Sequence, residues 1–262
     1  MIVNVGHLWK GIALALLLTA LPLSVPAAIV LDEPFDSFVL GTTWQATPAG
    51  APNETLAFVN DGTTTYLHMA SIGAVSEFRG IETIAPISLA GVASLVVDVR
   101  LRPINEGGNG TPSAAEVAVL GASGEFSRAV ASSPYSPGAW ADSYIDSDGT
   151  NVKTDFAHCA SGGCDSYRRF VLTIDGAGTS MAAYNADGSL NAFSASNPAL
   201  TLASYGSEVD IALRQMQVAN EVAARGFFDS VTVSTTAIPE PTGMMLLGLG
   251  ALGLFVLRRR NK

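Results

Sequence analysis

Glu208 and Asp210, held apart by Val209, are the residues of this 262-residue chain best spaced for acid–base chemistry. On a strand, positions two apart share a face, and two carboxylates on one face are what glycosidic bond cleavage requires, about 5–5.5 Å apart for a retaining mechanism. No further acid extends the set, because Ala212 and Leu213 occupy the places where a second glutamate would serve. Val209, Ile211 and Leu213 alternate with Glu208, Asp210 and Arg214, which is how an ordinary strand with one wet face reads. The pair is explained as a charged strand face, and the chain is expected not to be an enzyme.

Other reactive side chains are few. Cys159 and Cys164 flank Ala-Ser-Gly-Gly, and in an exported protein such a pair points to a disulfide closing a small loop. A metal site using both thiols with His158 and Asp165 is the alternative, but it lacks a second Cys/His pair. Asp146-Ser147-Asp148-Gly149-Thr150-Asn151 offers hard oxygen ligands, so Asp146 and Asp148 are the candidate calcium ligands and calcium is the one cofactor considered. A glycine at the fourth place and the absence of a closing glutamate depart from an EF-hand, and a polar hairpin turn accounts for the segment more simply. Tyr135, Trp140 and Tyr144 stand in a Pro/Ser-bearing stretch and could stack on sugar rings; packing over a sheet edge explains them equally well. Outside the N-terminal segment the only histidines are His68 and His158, and no nucleophile elbow or phosphate loop is present.

Charge narrows the partners. Residues 29–236 carry nine basic and 22 acidic side chains, a balance of −13. Such a surface repels phosphate backbones, so nucleic acid is excluded as a partner. It also repels anionic head groups, so membrane contact is expected through the C-terminal tail alone.

The two ends carry the clearest signals. Lys10 precedes an apolar run from Gly11 to Leu21, Pro22 breaks it, and Ser24-Val25-Pro26-Ala27-Ala28 follows. That is the order of a secretory signal peptide, with signal-peptidase cleavage expected after Ala27 or Ala28. At the other end Ile238-Pro239-Glu240-Pro241 leads into Thr242–Leu257, which is uncharged, and then Arg258-Arg259-Arg260. Sixteen helical residues reach roughly 24 Å, a marginal span for a bilayer core. Arginines after the span stay in the cytoplasm, which puts residues 29–236 on the far side of the inner membrane. The prolines remove backbone donors and hold their segment extended, where a processing enzyme can reach it. Pro239, Glu240, Pro241, the apolar helix and Arg258–Arg260 together resemble the PEP-CTERM sorting signal of exopolysaccharide-producing Gram-negative bacteria. That resemblance implies recognition by an exosortase and removal of the tail near the motif, as a GPI signal is removed.

Stepping inward, short apolar/polar alternations separated by turn chemistry fill residues 29–236. Leu95, Val97, Val99 and Leu101 face one way and Asp98, Arg100 and Arg102 the other; Phe170, Leu172 and Ile174 repeat the pattern before Asp175-Gly176. Leu67 with Met69 and Val117 with Val119 predict further strands, and Asn60-Asp61-Gly62, Asp148-Gly149 and Asp187-Gly188 predict turns. Gln215 to Arg225 is the one stretch with a helical period. Asp32-Glu33-Pro34-Phe35-Asp36-Ser37-Phe38 with Trp44, the segment Phe170–Gly188, and Gly226–Val233 resemble the first, middle and closing strands of concanavalin A-like, laminin-G-like jelly rolls. Glu208-Val209-Asp210-Ile211 is similar to the first half of the Glu-x-Asp-x-Glu motif of laminarinase-type glycosidases of that fold. The expected architecture is thus an all-β antiparallel jelly-roll sandwich at 29–236, a signal helix within 1–28, and a sorting tail with a transmembrane helix at 237–262. The expected function is a non-catalytic structural or adhesive role in exopolysaccharide after export, with lectin-like, calcium-dependent carbohydrate binding as the alternative.

Overall fold

The computed structural model describes residues 27–36, 40–47, 54–60, 65–71, 78–105, 113–132, 142–147, 150–155, 168–184, 190–217 and 224–238. Ala28–Thr236 form one compact unit; of the other, Met1–Ala27 with Ala237–Lys262, only Ala27, Ala237 and Ile238 are described. Cys159, Cys164, Tyr135, Trp140, Asp148, Pro239–Pro241 and Arg258–Arg260 all lie outside the described residues, as do the expected signal and transmembrane helices. No helix among the described residues is long and apolar enough to cross a membrane.

Two antiparallel sheets make up the unit. One contains β1 (Ala28–Glu33), β3 (Glu54–Asn60), β4 (Thr65–Ser71), β7 (Val92–Asn105), β12 (Arg168–Asp175), β13 (Gly178–Tyr184), β14 (Leu190–Asn197) and β16 (Ala224–Ala237). Its order is β14-β13-β12-β7-β16-β4-β3, with β1 on β16. The second contains β2 (Trp44–Thr47), β5 (Phe78–Thr83), β6 (Ile87–Ser88), β8 (Ser113–Gly121), β9 (Phe126–Ser132), β10 (Asp142–Ser147), β11 (Thr150–Asp155) and β15 (Glu208–Gln217). Its order is β11-β10-β9-β8-β15-β5-β2, with β6 on β15.

The period-2 patterns set which faces meet. Leu95, Val97, Val99 and Leu101 of β7, Phe170, Leu172 and Ile174 of β12, and Phe228, Val231 and Val233 of β16 are wholly buried. They share one core with Val117 and Val119 of β8, Ile211 and Leu213 of β15, and Ile81 of β5. Each such side chain is worth about 1.5–3 kcal/mol when taken from water. A slip of one residue would turn every apolar set outward, so the core also pins the registers.

Two polar features tie the layers. Tyr205, in a 3₁₀ turn at Leu202–Tyr205, is fully buried and donates its hydroxyl hydrogen to Ser127 Oγ of β9 at 2.6 Å. Thr179 Oγ1 of β13 stands 3.2 Å from the same phenol oxygen and donates to the Leu200 carbonyl at 2.8 Å. One phenol thereby links both sheets. Near the chain start, the Glu33 carboxylate accepts the Phe35 N–H at 3.0 Å and the Trp44 indole N–H at 3.3 Å. Phe35 and Trp44 are buried with ring centroids 6.2 Å apart, and Phe35 takes φ 56°, a costly region for a non-glycine residue.

Most strand expectations match. The Asp175-Gly176 signal closes β12 to β13 with Asp175 paired to Gly178, and the Asp175 carboxylate accepts the Ala177 N–H at 2.7 Å. Where the Gln215–Arg225 stretch is described it is strand rather than helix: residues 215–217 finish β15 and 224–225 open β16, and 218–223 lie outside the described residues. Gln215 pairs with Ala115 on one side and Arg79 on the other, so ladder bonds on both edges override the local period.

Candidate ligand-binding face

Chemistry-bearing groups gather on the outer face of the second sheet. The alternation that turns Val117 and Val119 into the core turns Glu116, Ala118 and Leu120 outward. Registers then align Gly80, Arg214, Glu116 and Val130 in one row across β5, β15, β8 and β9. The next row holds Gln45, Glu82, Ala212, Ala118 and Arg128.

Glu116 is fully buried, with Arg214 Nε 2.6 Å from one carboxylate oxygen and Arg128 Nη1 3.5 Å from the other. Both guanidinium side chains are 19% exposed. A carboxylate kept from water in this way is sustained by its paired cations. Cross-strand placement makes the triad possible, since β8 lies between β15 and β9. Gly80 permits the close approach of β5 to β15 there: a Cβ at that position would run into the Leu213 carbonyl oxygen and lie 2.7 Å from the Arg214 Cα.

Asp210 sits farther along the same strand. Thr83 Oγ1 donates to Asp210 Oδ1 at 3.1 Å while accepting the Ile211 N–H at 3.2 Å. Burial raises the Asp210 carboxyl above the ordinary aspartate range against the Thr83 hydrogen bond, and Glu82 and Glu208 push it the same way. Gln45 Nε2 donates to Glu82 Oε1 at 3.0 Å. Glu208 itself is exposed at the strand's start.

The sequence-derived candidates are only partly brought together. Glu208 and Asp210 do lie on one strand, with Asp210 engaged by Thr83. Tyr144 and Asp146 are on β10, where position 144 is in register with Val130 and Lys153, and position 146 with Arg128 and Asn151. Among the described residues, no group of three or more His, Cys, Asp or Glu is placed to hold a metal ion. Sequence reading missed the Glu116–Arg128–Arg214 triad. Its signal was a lone charge in the otherwise apolar run Ala114–Leu120.

Comparison with known proteins gives two findings. Residues 237–260 match the family described as the PEP-CTERM protein-sorting motif. The fold is that of concanavalin A-like lectins. Peanut lectin superposes with a TM-score of 0.58 at 12% identity, covering 82% of this chain and 100% of its own. The CBM2 module of the evolved Dit of Lactobacillus casei BL23 phage J-1 gives 0.55 at 9% identity, covering 83% and 99%. Lectin II from Ulex europaeus gives 0.52 at 12%, covering 80% and 100%. At these identities the likeness is one of fold. No curated protein matches the chain.

Proposed function

We propose that this chain is exported, sorted by an exosortase through its tail, and left at the cell surface or in the extracellular matrix of a Gram-negative bacterium. There the sandwich serves without catalysis, as a structural or adhesive component of exopolysaccharide. The observation that carries this reading is the sorting motif at 237–260, which begins at the last residue of β16. The chemistry of the second sheet supports the non-catalytic part: the wholly buried carboxylate of Glu116 is held by two arginines, and Asp210 is bonded to Thr83. A retaining glycosidase needs one carboxylate free to attack and another to carry a proton.

Intact mass spectrometry of protein recovered from the cell surface tests the sorting. Mature protein lacking both the segment before Ala28 and the arginine end is expected; a surface chain that still contains Arg258–Lys262 would sink the proposal. Absence of reducing-sugar release from laminarin-type glucans is expected, and release that disappears in Glu208→Gln would restore an enzyme.

A lectin-like role is the second reading, favoured by the fold and by the placement of positions 144 and 146 beside the strand that carries Arg128. Binding on a glycan array that is lost with a chelator, and lost in Tyr144→Ala, would support this reading over a purely structural one. Calcium held by Asp146 and Asp148 belongs to the same proposal.

A further inference from the structure

Large apolar side chains left in water are rare among the described residues, and they are not scattered. Within the Ala28–Thr236 unit they are Ile29 (64% exposed), Val30 (46%), Leu40 (42%) and Ile84 (40%). The registers put all four at one pole of the sandwich. Ala28 pairs with Thr235, so β1 starts where β16 ends. The Thr236 hydroxyl is 2.7 Å from that of Ser94 near the start of β7. A short turn, with the Val92 N–H donating to the Leu89 carbonyl, leads from there to β6, whose Ser88 pairs with Glu208 at the start of β15. β5 runs antiparallel to β15, so its end at Thr83 lies at this pole too, and Ile84 N–H donates to the Thr43 carbonyl beside Leu40.

Acids at this pole include Glu208, paired with Ser88, Asp175, paired with Ser94, and Glu125, whose carbonyl accepts the Gly121 N–H; the segments between them are uncharged. Leu40–Trp44, Ile84–Ser94 and Asn197–Ser207 contain no Asp, Glu, Lys, Arg or His, in a domain whose balance is −13. Acids repel an anionic bilayer, and the segments that carry Leu40 and Ile84 bring none of their own.

Chain length decides what meets the pole. From Thr236 to Thr242, where the uncharged run begins, there are six residue steps, about 20 Å at full extension. β7 and β16, at 14 residues each, span about 46 Å. A tether less than half the length of the sandwich keeps the near pole at the head groups and rules out contact through the far pole alone. Pro22–Ala27, between the N-terminal apolar run and β1, is equally short. Both apolar ends leave the domain at this pole.

We infer that the pole formed by the start of β1, the end of β16 and the Leu40 and Ile84 turns is a lipid-apposed surface, resting on the bilayer while the sorting tail is attached. The inference rests on the anchoring read from the tail. Ile29, Val30, Leu40 and Ile84 then enter the head-group layer, where each removes apolar surface from water, and the sorting motif is held at the membrane face.

The test is photolabelling of the full chain in vesicles of phosphatidylethanolamine and phosphatidylglycerol containing a lipid with a head-group diazirine, with adducts mapped by peptide mass spectrometry. Labelling of residues 28–31, 40–44 and 84–94 at several times the level of 54–60 and 168–172 is expected, together with labelling of 242–257. Tail adducts without enrichment at the three pole segments would overturn the inference and leave the anchoring intact. No adducts in the tail would bring down the anchoring reading and this inference with it. Ile29→Glu combined with Ile84→Glu is expected to cut pole labelling several-fold while tail labelling persists; unchanged labelling would show that these side chains do not seat the pole.

Discussion

Single residues decide the chemistry of the second sheet. Glu116→Ala would leave Arg128 and Arg214 facing each other without their shared anion. Breaking a buried ion network from one side costs about 3–5 kcal/mol, and the melting temperature of a domain this size should fall on the order of 10 °C. Glu116→Gln with Arg214→Met removes charge from both sides and should recover much of that loss, which urea titration of the pair would measure. Asp210 behaves oppositely. Its raised carboxyl means that the folded state holds a proton that the unfolded state has already lost, over the range above the ordinary aspartate value of 3.8. Stability therefore falls as pH rises through that window and is not regained above it. Asp210→Asn keeps an acceptor for Thr83 while abolishing the charge, so its stability relative to the wild type should climb between about pH 4 and pH 7. Equal differences at both ends of that range would refute the assignment.

At the level of elements, the close contacts between strands are less tolerant than the core pattern implies. Gly80→Ala places a methyl group against the backbone of β15 at Leu213 and Arg214. Overpacking of this kind costs about 1–3 kcal/mol, and it should also disturb the Arg214–Glu116 pair that the glycine row supports. Thermal unfolding of the variant would show the loss; an unchanged transition would mean that β5 can shift without penalty. Such close approaches explain what was and was not legible. Leu95–Leu101, Phe170–Ile174 and Val209–Leu213 betray their strands because burial of one face writes a period of two into the sequence. The Asp32–Trp44 segment was readable as an opening motif, yet not its mechanism, in which Glu33 bonds Trp44 from across the two sheets. Likewise Glu116, Arg128 and Arg214 are 12 and 86 positions from one another along the chain. Nothing local predicts that β8 comes to lie between β9 and β15. Gln215–Arg225 carries a local helical period, but ladder partners that the sequence does not display make strand of 215–217 and 224–225.

For the whole molecule, the balance of −13 and the apolar tail pull in opposite directions, and cutting between them changes where the protein resides. While tethered, the pole is held within about 20 Å of the bilayer, so even a weak contact is made at high effective concentration. Once the chain ends near Ile238, that enhancement is gone and long-range repulsion from anionic lipid dominates. Four partly exposed apolar side chains do not offset the loss, since stable attachment requires two independent membrane signals even when one is a fatty acyl chain. The domain ending at Ile238 should therefore stay in the supernatant when phosphatidylglycerol-containing vesicles are sedimented at physiological salt, whereas the full chain should pellet with them. Because Ala28–Thr236 is a compact unit in its own right, the shortened chain should melt as the full one does. Pelleting of a correctly folded shortened domain would mean that the sandwich carries its own membrane affinity, and that removing the tail does not release it.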